Sequence, residues 1–248
     1  MKRFDHTIWL GLGIGLAAIL AGAWLEGLSF SFLFHPTAAL IVGGGTLGAV
    51  IVRRGLDGVK NAFQAVWQLR FKETGDKHHL ELEKLIWLSR SIQKSGIRAL
   101  ENYAENSSDP LITEGLLLVA EHADKQKITD VLNKRLDLED EIGLQDAATI
   151  EAAGGFAPTF GILGAVLGLI GVLRVLDRPD ALGIGIATAF VATIYGIGSA
   201  NLFLFPLASR LKARHELLMR RREEIAIVIL ALAAKESPRA IANRFNLR

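Results

Sequence analysis

Apolar residues fall into blocks along this chain. Thr7 to Leu25 carries no charge, and Gly27 to Val52 carries none apart from His35. Gly154 to Leu173 is uncharged for 20 residues and Ala181 to Ser209 for 29. A helix needs about 20 predominantly apolar residues to cross a bilayer, so four stretches qualify. Between the second and third, Arg53 to Ile150 holds 14 Lys/Arg and 17 Asp/Glu, the make-up of a water-facing insertion. The pattern predicts an all-α polytopic membrane protein with four transmembrane helices and a helical cytoplasmic insertion. Residues 1–52 would form spans one and two, 53–152 the cytoplasmic domain, 153–208 spans three and four, and 209–248 a C-terminal cytoplasmic helix. No small-residue cleavage site stands after the first stretch, where Trp24-Leu25-Glu26 intervenes. That stretch is expected as an anchor, not a cleaved leader.

Inside the insertion, Leu82, Leu85, Ile86, Ser89, Ile92, Ile97 and Leu100 recur at helical spacing. They predict one amphipathic helix from about Glu81 to Glu105, with Gly96 as its soft point. Its polar face would carry Arg90, Lys94, Arg98, Glu101 and Glu105. A second helix is expected through Leu116 to Leu138. After span four, Arg210 to Glu224 is strongly basic and Ile225 to Ala234 is apolar. Ten residues cannot span a bilayer, so that run should pack against the cytoplasmic helices.

Composition sharpens the picture. Of 248 residues, 50% are hydrophobic and 22% charged, with 28 Lys+Arg against 26 Asp+Glu. The absence of Cys excludes disulfides, a Cys-ligated zinc and thiol catalysis. A formal charge of +2 does not suggest nucleic-acid binding. The Lys/Arg bias of short loops orients the chain. Lys2 and Arg3 precede span one, Arg53-Arg54 follow span two, and Arg210, Lys212 and Arg214 follow span four. Leu25 to His35 has none. Both termini and the insertion are therefore expected in the cytoplasm.

Candidate chemistry is sparse. Glycines 161, 164, 168 and 171 line one face of span three, where a neighbouring helix can approach closely. Span four carries Thr188, Thr193, Tyr195, Gly196, Ser199 and Asn201 in the same style. These residues serve either ordinary packing or a polar path at membrane depth. No Asp, Glu, Lys or Arg lies within any span. If ions pass, the carrier group must come from a partner. Asp146 and Glu151 flank span three and serve at most as charges at its mouth. Pro158 removes a backbone donor inside span three and favours a kink. Pro206 is expected to end span four. Gly43-Gly44-Gly45 lacks the lysine of a phosphate loop and is better explained by helix–helix approach. His78-His79 cannot face one metal site from a helix, and no metal or cofactor is expected. No hydrolase motif stands in the chain, so an enzyme is not expected.

Three stretches resemble the MotA/PomA stator subunits of the bacterial flagellar motor. They are His35-Pro36-Thr37-Ala38-Ala39-Leu40-Ile41-Val42-Gly43-Gly44-Gly45-Thr46, then Ala157-Pro158-Thr159-Phe160-Gly161-Ile162-Leu163-Gly164, and Thr193-Ile194-Tyr195-Gly196 with Asn201 and Pro206. The more distant ExbB/TolQ energy transducers usually have three spans, and the paired first two helices here argue against them. A helical transporter would need broken helices or intramembrane charge, and neither is visible. The resemblance implies a homo-pentamer around two copies of a MotB-like single-span partner that supplies the ion-binding Asp, in the bacterial inner membrane. It implies ion flow that drives torque against the rotor protein FliG. It assigns Pro158, Thr159, Ala165, Thr193, Tyr195 and Pro206 to the ion path and its coupling. Arg90, Lys94, Arg98 and Glu101 would face the rotor, with Gln93 standing where a basic residue is usual. Sodium-type members carry a Thr where this chain has Ala165. A methyl offers no oxygen to a hard cation, so protons are the expected ion.

Overall fold

The computed structural model describes residues 3–4, 6–27, 34–72, 76–177 and 179–245. Arg3–Phe4 and Phe71–Lys72 form a two-residue antiparallel pairing, and the other described elements are helices. The chain divides into two compact units: residues 2–72 with 144–213, and residues 73–143 with 214–248.

The first unit holds the apolar blocks. Helix α1 (His6–Leu25) has no buried residue. Helix α2 (Pro36–Gln68) passes through a π-turn at Leu40–Gly44 and kinks at Gly55, whose φ of 70° and ψ of 173° only glycine adopts readily. Span three is the end of α6 (Lys125–Leu173), which continues through Pro158. Span four begins with α7 (Pro179–Ser199), passes a π-turn at Ala200–Leu204 and continues as α8 (Phe205–Ala233). Helices α1 and α2, the long α6 and the run Gly185–Ala233 are each long and apolar enough to cross a membrane. Ala38, Val42, Val191 and Ala192 bury together between α2 and α7, and Tyr195 packs against them. Leu69, Ala147 and Leu211 form a second cluster beyond the uncharged stretches.

Pro206 does not end the fourth helix. The missing N–H frees the carbonyl four residues back, Leu202, and that residue lies in the π-turn. The wider turn absorbs the defect and the helix runs on to Ala233.

The second unit is a helical cluster around α3 (Asp76–Ser95), α4 (Arg98–Glu105) and α5 (Pro110–Ala120), with residues of α6, α8 and the short α9 (Pro238–Arg244). The apolar run after the basic stretch packs here as expected: Ile225, Val228, Ile229 and Leu232 are buried beside Leu85, Leu111 and Leu132. Both helices expected in the insertion are broken. Gly96 takes a φ of 69°, which separates α3 from α4. His122 takes a φ of 54°, which separates α5 from α6. Helix α5 starts on its own signal: Asp109 caps it, its carboxylate accepting from the Leu111 N–H at 3.0 Å, and Pro110 follows.

Candidate functional site

Span three meets span four through glycine. A methyl on Gly168 would stand 2.8 Å from the Gly185 carbonyl, and one on Gly164 would stand 2.7 Å from the Ala192 side chain. A methyl on Gly196 would come within 2.7 Å of the Ala157 carbonyl and 3.1 Å of Pro158 Cα. Backbones at this distance gain dispersion contact that larger residues would deny them. Gly171, the last of the series, faces open space instead. Of the Gly43–Gly45 run, only Gly45 is filled from another span, by the Phe160 ring; Gly43 also opens on empty space.

The pairing uses one face of span three and leaves the other outward. Thr159, Ile162, Leu163, Val166, Leu169 and Ile170 are exposed. The Thr159 hydroxyl donates to the Phe156 carbonyl at 2.6 Å, and the Thr193 hydroxyl to the Ala189 carbonyl at 3.1 Å. Both keep oxygen lone pairs while adding no charge. Ala165 is half-buried and contributes a methyl alone, and Pro206 is exposed. The structure thus groups Pro158, Gly161, Thr193 and Gly196 on one contact, while Tyr195 lies against α2.

Tyr195 belongs to a polar cluster that sequence reasoning did not assemble. The His35 N–H donates to the Tyr195 hydroxyl at 3.3 Å. His35 Nε2 and the buried Thr188 hydroxyl share a hydrogen bond of 3.1 Å, while His35 Nδ1 is buried without a partner. The available signal was that His35 interrupts an otherwise uncharged stretch.

At the other end of the spans, Lys212 Nζ donates to Glu151 at 2.8 Å. Burial pushes the Asp146 carboxyl above its ordinary range, and the nearby Arg54 charge opposes this.

The charged residues expected on one insertion helix lie on two. Arg90 is on α3, and Arg98 and Glu101 are on α4; all three are exposed and none is in an ion pair among the described residues. Lys94 is on α3 too, but its side chain lies outside the described residues. Arg90 borders a cleft of about 360 Å³ with Glu83, Lys84 and the exposed Trp87.

Four apolar helices, a glycine-locked third and fourth span without internal charge, and a helical insertion define a class: polytopic helical membrane proteins. A family profile described as "MotA/TolQ/ExbB proton channel family" matches residues 103–224. The chain is 31% identical over 245 residues to motility protein A of Bacillus subtilis, covering 97% of this chain and 89% of that protein. It is 30% identical to motility protein A of Treponema pallidum, covering 97% and 92%. The flagellar MotAB stator complex from Bacillus subtilis superposes with a TM-score of 0.81 at 29% identity, over 97% of this chain and 94% of the other. The chain belongs to the motility protein A family, the stator subunits of the bacterial flagellar motor.

Proposed function

We propose that this chain conducts protons jointly with a MotB-like single-span subunit and converts the flow into torque on a rotor. One observation carries the reading: spans three and four are locked together without an ionisable group, and span three turns an apolar face headed by Thr159 outward. Cation movement at depth needs an ionisable or coordinating group. The partner's acid supplies it, seated against that face. The related Bacillus subtilis structure is of a MotAB complex, which supports a MotB-like partner. Ala165 adds no oxygen ligand, which favours protons over sodium.

The remaining parts follow the same logic. Five copies around two partner helices would enclose the path. Both termini and the second unit face the cytoplasm, in accord with the Lys/Arg bias of the short loops. Arg90, Lys94, Arg98 and Glu101 meet charged groups of FliG. Pro158 lies against Gly196, so a shift of the partner acid would be felt in both spans at once.

The test is Pro158→Ala in the full chain. Swimming should stop while the membrane complex keeps its amount and size. Normal swimming would overturn the coupling role of Pro158. Purifying the complex separates the alternative reading: a partner with a peptidoglycan-binding domain supports a stator, and a TonB-like linkage supports an ExbB/TolQ-like transducer.

A further inference from the structure

Helix α1 is the least attached of the spans, since none of its residues is buried. Close to its start Ile8 packs against the cluster of Leu69, Ala147 and Leu211, and the helix nears the fourth span where a side chain on Gly15 would meet Leu202 at 2.7 Å. The crevice opens on either side of that pinch. One cavity, of about 400 Å³, is walled by Leu16, Ile19, Leu20, Val42, Gly43 and Ile194. The other, of about 360 Å³, is lined by Thr7, Ile8 and Gly11 on α1 and runs along the fourth-span side from Asn201 past Pro206 to Arg210. Both volumes fall in the range of small-molecule clefts, roughly 300–1,000 Å³.

Two features say what fills the crevice. Glycines 11, 43 and 198 stand on its walls, and a Cβ at any of them would meet nothing within 4 Å. Unlike Gly161 and Gly196 they bring no two helices of this chain together; they hollow the wall. The second feature is a charge gradient. The outer cavity is apolar almost throughout, whereas the other ends at Arg210, the first charge after the 29 uncharged residues from Ala181 to Ser209. An oily slot closed by a cation at the headgroup level matches an amphiphile with an anionic head, and basic pockets between transmembrane helices bind such heads.

We infer that the crevice between α1 and the fourth span binds an anionic phospholipid, with an acyl chain along Gly43 and the phosphate at Arg210. The lipid covers the face of α1 on either side of the Gly15–Leu202 approach. The inference is independent of the coupled ion and of the rotor contact.

The test uses the full complex reconstituted in phosphatidylcholine with a minor fraction of phosphatidylglycerol, then released into native mass spectrometry. Wild type should retain about one phosphatidylglycerol per copy of this chain. Gly43→Leu fills the apolar cavity and Arg210→Gln removes the cation; each should lower retained phosphatidylglycerol at least fivefold at unchanged complex mass. Gly198→Leu, on the same wall, repeats the test if Gly43→Leu fails to assemble. Retention equal to wild type in both an assembled cavity-filling variant and Arg210→Gln would overturn the inference. The chain has no cysteine, so Gly43→Cys can also be oxidised alone. Disulfide-linked dimers would show that a second copy occupies the groove and would overturn it as well.

Discussion

Gly161 and Gly196 touch backbone to backbone. A methyl on Gly161 would stand 3.2 Å from Gly196 Cα, and one on Gly196 would stand 3.0 Å from Gly161 Cα. Overpacking a fitted contact costs about 1–3 kcal/mol. Gly196→Val should therefore lower the Tm of the solubilised complex, and Gly198→Ala should leave it unchanged, because a Cβ at Gly198 meets nothing within 4 Å. Equal melting of all three proteins would place the contact elsewhere.

Arg222 joins three helices of the second unit. Its Nε donates to Glu139 at 2.8 Å and its Nη2 to Asp109 at 2.9 Å. Burial pulls the guanidinium pKa down, but the hydrogen bonds to Glu139 and Asp109 outweigh it and raise it. Removing one partner of a well-buried pair costs about 3–5 kcal/mol, and these groups are about four-fifths buried. Arg222→Ala should cost about 2–3 kcal/mol by thermal melting. Asp109→Asn keeps the helix cap and should cost less than Asp109→Ala.

Gly96 separates the two charged helices. Its φ of 69° is left-handed and a Cβ there would meet no neighbour, so Gly96→Ala strains only the backbone. The expected loss is about 1–2 kcal/mol. Swimming torque should fall with it, since Arg90 and Glu101 lie on opposite sides of the turn. Unchanged torque at lowered Tm would detach the turn from rotor contact.

Asp146 makes a pH prediction. Burial raises its folded pKa above the ordinary 3.8, so the folded chain binds the proton more tightly than the unfolded one. Its contribution to stability is full below the unfolded value and is lost as pH rises through the folded one. Asp146→Asn should therefore gain Tm relative to wild type as pH rises across the acidic range. A constant difference would remove Asp146 as the source.

Ion choice is checked in swimming cells. Speed should collapse with a protonophore and ignore external sodium. The reverse would overturn the argument from Ala165.

Hydropathy placed all four spans, because a bilayer demands an uninterrupted apolar length wherever the helix goes next. The glycine ladder of span three was legible for the same reason at residues 161, 164 and 168, and not at Gly171, since spacing names a face but not its partner. Amphipathic spacing marked Leu82 to Leu100 as core-facing and Gly96 as the soft point, yet it read one helix where there are two, because the left-handed turn at Gly96 leaves the hydrophobic phase nearly intact.

The sequence by itself determined that this is a four-span helical membrane protein with no charge at depth, because charge segregation is a one-dimensional property. Only tertiary structure decided which glycines close a helix contact and which open a hollow. It alone brought His35 to Thr188 and Tyr195, and Arg222 to Asp109 and Glu139. Those outcomes depend on distances between residues far apart in the chain, and local pattern carries no such information.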